Sequence, residues 1–247
     1  MHRTQLSSGI ATGIGGLPHR DAVDAATFVL RNMELPAIPT LPRRSPAEGS
    51  MAQAMVGMQG ITVGQYGSIA VDATLVDPLA PIVTDLDHDA FLGFRTFLEL
   101  AHEQQFVGPV KWQFVGPVSF GLALMRAGVP MSEAFESAVR CVRARLQHLL
   151  DAVSLALPQS QQLVFIEEPA LVDLMQPGFP IAPDTAIDLV SGALAMVAGS
   201  DVSGLHVCGL TDIPSQLASA PRILSLPMRQ EIARLTPIHI SEPTRPY

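Results

Sequence analysis

The feature that most restricts this chain is the alternation of short apolar runs with long amphipathic stretches, with Pro or Gly at most junctions. Strands separated by whole helices cannot pair as hairpins, so they run parallel through βαβ crossovers. Residues 10–16, 110–115, 163–166, 204–207 and 222–226 read as such strands. Asp21 is placed to cap a helix reaching about residue 33, and Asp87 one reaching about residue 105. In the second, Phe91, Phe94, Leu98 and Ala101 share one face. Ser132 precedes the clearest helix, where Phe135, Val139, Val142, Leu146, Leu149, Leu150 and Val153 recur at helical spacing as far as Ala156. A further helix is expected over 184–198, a long proline-rich loop over 35–50, and a hairpin or excursion over 61–71.

Parallel strands with crossover helices form either an open doubly wound sheet or a closed barrel. No Gly-x-Gly-x-x-Gly loop opens the first helix and no Gly-rich P-loop is present, which weakens the dinucleotide fold. The expected class is therefore α/β, a (β/α)8 TIM barrel incomplete at its C-terminus. Residues 1–237 form the partial barrel, and 238–247 read as a non-native tail.

Composition narrows the partners. Hydrophobic residues make up 48% and charged residues 15% of 247 positions, enough to bury a large core. No apolar run reaches the ~18 residues of a membrane helix, so no membrane partner is expected. The start lacks the pattern of a secretory signal and only two cysteines occur, which points to the cytoplasm. A net charge of −8, with Lys111 the only lysine, argues against nucleic acid and for a small-molecule substrate.

The sharpest chemical signal is His206-x-Cys208. Two residues apart on a strand, their side chains leave the same face, and imidazole and thiolate are both zinc ligands. By spacing alone, a satisfied core pair remains the alternative. Glu167 and Glu168 end an apolar strand before Pro169. Adjacent strand residues point oppositely, so one faces the barrel interior, where it can hold an ammonium or act as a base, and the other faces the helices. The turn Gly13-Ile14-Gly15-Gly16-Leu17-Pro18 offers backbone N–H groups to a carboxylate or phosphate. His19 and Arg20 read as surface residues, and Arg43 and Arg44 as a solvated pair with anion binding as the alternative. Cys141 reads as a structural thiol and Trp112 as packing.

In order along the chain, four segments resemble the C-terminal catalytic barrel of cobalamin-independent methionine synthase, and more closely its single-barrel relatives. They are Thr12 to Pro18, Lys111 to Val118, Phe165 to Leu171 with its Glu-Glu-Pro, and Leu205-His206-Val207-Cys208-Gly209. The resemblance spans residues 10–226, within a superfamily that includes uroporphyrinogen decarboxylase. It implies that His206 and Cys208 are two ligands of a Zn2+ cofactor, completed by a carboxylate or cysteine and by a late cysteine. It implies that Glu167 binds and orients the amino-acid substrate, and that Ile14, Gly15 and Gly16 hold its carboxylate. The implied reaction is methyl transfer from a methylated folate to a zinc-activated small-molecule thiol such as homocysteine, as in methionine biosynthesis. Corrinoid-dependent thiol methyltransfer, or a degenerate barrel that binds a ligand without catalysis, are the alternatives. The resemblance leaves the oligomeric state open.

The chain departs from the family at several points. Ile-Gly-Ser is Ile-Gly-Gly, the family's Asp is Glu167, and Arg43-Arg44-Ser45 stands where a His-Gly-Glu segment is expected. Pro227 stands near the next-strand carboxylate position, and no third cysteine exists. The run from Ile238 to Tyr247 resembles translated adapter sequence, which suggests a reading frame cut before the barrel closes, so His239 is not counted as a ligand.

Overall fold

A computed structural model describes residues 6–64, 68–197, 201–209 and 212–227. The expected tail at 238–247, with His239, lies outside the described residues. The chain is α/β. Its elements are α1 (Ala22–Asn32), α2 (Ser50–Met55), β1 (Ile61–Val63), β2 (Ile69–Val71), α3 (Leu92–Glu103), β3 (Val110–Val115), α4 (Pro117–Arg126), α5 (Met131–Ala156), β4 (Gln162–Glu167), α6 (Pro183–Ala195), β5 (Val202–His206), α7 (Ile213–Ala218) and β6 (Ile223–Ser225). β3-β4-β5-β6 form a four-stranded parallel sheet in sequential order, and β1-β2 form the expected antiparallel hairpin.

The sheet continues past β3. Isolated parallel bridges join Ala37 to Lys111, Thr12 to Leu35 and Gly16 to Thr40. Residues 35–40 therefore lie extended between the first segment and β3, which corrects the expectation of a loop there. The prolines disguised it. Leu35, Ile38 and Thr40 donate to Ala11, Lys111 and Gly15, while Pro36 and Pro39 fall where the pairing needs no N–H.

Three helix starts also differ from expectation. α3 is entered through a 3-10 turn at Asp89–Phe91, capped by the His88 ring, whose Nδ1 accepts from the Ala90 N–H at 3.1 Å; Asp87 is not the cap. α5 begins at Met131 behind Pro130 with no side-chain cap, so Ser132 lies inside it. α4 was not expected at all; Pro117 opens it at the first helical position, where the missing N–H costs nothing. Asp21 does cap α1, accepting from Asp24 N–H at 2.9 Å. The helix expected over 184–198 ends at Ala195, and 198 lies outside the described residues.

The two faces of the sheet bury different things. Trp112, Phe114, Val164, Ile166, Leu205 and Val207 join the helices in the main core. Trp112 packs edge-on against Phe94 and donates to Gln162 at 2.8 Å, in keeping with a packing role. On the other face Leu163, Phe165 and Leu35 form a small separate cluster with Ile10, Val202 and Ile223. Gly204 lets the Phe165 ring lie flat there: an added Cβ would sit 2.6 Å from ring atoms. Gly204→Ala is expected to lower stability by about 1–3 kcal/mol, read by urea denaturation, because the ring must leave its place.

Candidate functional site

Polar side chains gather at the C-terminal ends of the parallel strands. Strand register sets Glu167 beside His206 and His206 beside Ser225, so all three leave the same face as Lys111 and Gln113. Glu168 takes the opposite direction, as alternation requires. It is fully buried and accepts from the N–H groups of Val118 and Ser119 at 2.8 and 2.7 Å, clamping the start of α4. Burial nevertheless pushes its carboxyl up to about 7, against those hydrogen bonds.

His206 and Cys208 come together as expected. His206 Nε2 lies 3.4 Å from Cys208 Sγ, and its Nδ1 meets Ser225 Oγ at 2.9 Å. Zn–S and Zn–N bonds of about 2.3 and 2.05 Å at a tetrahedral angle separate sulfur from nitrogen by about 3.6 Å. The pair therefore fits two corners of one zinc ion. Ser225 Oγ can accept from the Nδ1–H of His206, the tautomer that turns the Nε2 lone pair toward Cys208 and a metal between them. Burial, helped by the charge of Lys111, lowers the His206 pKa and favours the neutral, ligating imidazole. Burial and the field of Glu167 raise the Cys208 thiol, so its surroundings do not make it a thiolate unaided. Among the described residues, no group of three His, Cys, Asp or Glu side chains is placed to hold a metal.

Glu167 is half-buried, and burial raises its pKa while Lys111 and the Ser50 side chain act against that. Gln113 Nε2 donates to Glu167 Oε1. Lys111 is almost fully buried; its Nζ donates to Gly13 O at 3.0 Å, Ile14 O at 3.3 Å and Gln113 Oε1 at 3.1 Å. It also lies 4.8 Å from the Phe165 ring centroid. Burial brings its pKa down to about 8, with Glu167 opposing. The glycine turn is thus tied to the same cluster. Gly15 holds φ +114°, a conformation that side chains disfavour, and its bare Cα faces the Gln113 amide. Ile14 and Gly16 are exposed, and among the described residues the N–H groups of Ile14, Gly15 and Gly16 donate to no protein acceptor.

Compared with protein-family models, curated proteins and solved structures, the chain matches none of them. The site stands on its own geometry. Lys111, Gln113, Ser50 and Ser225 are site residues that motif reading did not single out. Polar residues at 111 and 113 inside an otherwise apolar strand were the available signal for two of them. Arg44, read as solvated, is instead paired with buried Glu48 at 2.7 Å and with Asp89 at 2.8 Å. Arg43 and Arg20 are exposed, and the half-buried His19 ring lies tilted against Phe28 with centroids 5.4 Å apart. Cys141 is buried with its Sγ 3.2 Å from Ala54 O, as a structural thiol would be. No helix among the described residues is long and apolar enough to cross a membrane.

Proposed function

We propose that this chain has a (β/α)8-barrel architecture, activates a small thiol on zinc and transfers a methyl group to it from a methylated folate. What supports the barrel is the sequential parallel order of β3 to β6, extended by segments 35–40 and 11–16 on one edge. Doubly wound sheets reverse their strand order; barrels do not. The observation that carries the chemistry is the 3.4 Å approach of His206 Nε2 to Cys208 Sγ, with Ser225 on the other ring nitrogen.

His206 and Cys208 would hold the ion. Bound zinc supplies a lowered pKa for an incoming thiol. Glu167 orients the substrate by accepting from its ammonium, and the unengaged N–H groups of Ile14, Gly15 and Gly16 receive its carboxylate.

The test is metal content. Purified protein is expected to carry about one zinc per chain, and Cys208→Ser to fall below about 0.1, with loss of methyl transfer to homocysteine. A Cys208→Ser protein that keeps its zinc overturns the assignment. A second reading, a barrel that binds a ligand without catalysis, is favoured by the absence of a third ligand among the described residues. Wild-type protein that binds an amino-acid thiol but carries no zinc would decide for it.

A further inference from the structure

The hydrogen-bond inventory of Lys111 closes. An ammonium has three N–H donors and no acceptor, and Nζ meets three acceptors: Gly13 O, Ile14 O and Gln113 Oε1. No donor is left for a substrate, so Lys111 is not placed to bind one. Its partners are informative instead. Two belong to the glycine turn, and the third belongs to the residue that holds Glu167.

The Gln113 amide has one oxygen and one NH2 group, and both ends are engaged. With its oxygen on the Lys111 ammonium, its nitrogen must face Glu167 Oε1. The reversed amide would set NH2 against an ammonium and oxygen against a carboxylate, so both contacts would repel. Lys111 therefore dictates which way Gln113 presents itself. Phe165 supports the ammonium from its ring face, and Gly15 leaves room for the amide.

We infer that Lys111 is a positioning residue: anchored on two carbonyls of the glycine turn, it fixes the Glu167 carboxylate through Gln113, so that one buried charge sets the ammonium end of an amino-acid subsite. This rests on the reading of Glu167 as the ammonium-binding group. Lys111 touches neither substrate nor metal in this arrangement. Its effect is on recognition of the amine.

The test has a ligand-free arm and a ligand arm. In ligand-free protein, solvent exchange of the Gln113 side-chain NH2, followed by NMR, is expected to be at least about tenfold faster in Lys111→Met than in wild type. In the ligand arm, L-homocysteine is compared with 4-mercaptobutanoate, which keeps the thiol and carboxylate and lacks the ammonium. Lys111→Met is expected to reduce the preference for homocysteine about tenfold and to change 4-mercaptobutanoate binding much less. Gln113→Leu should reproduce that loss while leaving Lys111 in place, and the double variant should be no worse than either single one.

Equal weakening of both ligands, with Gln113 exchange unchanged, overturns the inference and leaves Lys111 a structural residue. Additive losses in the double variant overturn it as well. Should Lys111→Met fail to fold, Gln113→Leu carries the ligand arm, and unaltered discrimination there counts against the inference. A wild-type protein that treats the two ligands alike refutes the ammonium role of Glu167 instead. In that case the Gln113 exchange rates still decide whether Lys111 holds the carboxylate in place.

Discussion

Glu168→Ala is expected to be among the most destabilising single changes in this chain, lowering the unfolding free energy by about 3–5 kcal/mol. Its carboxylate is wholly buried and supplies the acceptors for the N–H groups of Val118 and Ser119. Those are first-turn donors of α4, which have no partner within the helix. Alanine removes the acceptors, strands two buried donors and opens a cavity between β4 and α4. Urea denaturation reads the loss, and a decrease under about 1 kcal/mol would show that water replaces the carboxylate without penalty.

The same residue gives a signed pH dependence. Its carboxyl is raised to about 7 from an ordinary 4.5, because burial outweighs the hydrogen bonds it accepts. Between those values the folded chain holds a proton that the unfolded chain has released. The stability this group contributes is therefore complete below about 4.5 and is lost as pH rises through about 7. Glu168→Gln cannot titrate. It should be less stable than wild type at pH 5, because its NH2 end meets a backbone donor, and the difference should narrow by pH 8. A gap that is constant across this range would place the Glu168 pKa in the usual carboxylate range.

How much of this arrangement was legible in the sequence depended on whether the cue was local. β3, β4 and β5 announced themselves as apolar runs, and their polar ends located Glu167, His206 and Cys208. Alternation set Glu167 and Glu168 on opposite faces without saying which was which; strand register and the bonds to α4 decide that. Segment 35–40 was missed because its parallel partners lie far away in sequence and its prolines resemble loop punctuation. α4 was missed because Gly116-Pro117 reads as a stop, whereas here it ends one element and opens the next. Ser225 became visible only through register, since nothing near it in the chain marks it as the partner of His206. Arg44 misled for a related reason. Two adjacent arginines look solvated until the fold shows which carboxylate lies beneath them.

That carboxylate is the second large lever. Glu48 is fully buried; its Oε1 receives Arg44 at 2.7 Å and its Oε2 receives the Leu41 N–H at 2.9 Å. Burial still raises its pKa, so the pair is not a simple gain over water, and removing one partner is the costly operation. Glu48→Ala is expected to cost about 3–5 kcal/mol, because Leu41 loses its acceptor and the Arg44 guanidinium keeps only Asp89. Asp89→Ala should cost under about 1 kcal/mol, since the Asp89 side chain is 57% exposed and solvent replaces it. Glu48 also reaches toward the site by its place in the chain. It is followed at two residues by Ser50, the first residue of α2, whose side chain acts on Glu167. Loss of Glu48 should therefore loosen the Glu167 carboxylate as well as the fold, and Glu48→Ala should speed Gln113 amide exchange where Asp89→Ala does not. If the two variants proved equally mild by denaturation and equally silent by exchange, the buried pair would be neither an anchor for the 41–50 segment nor a support for Glu167.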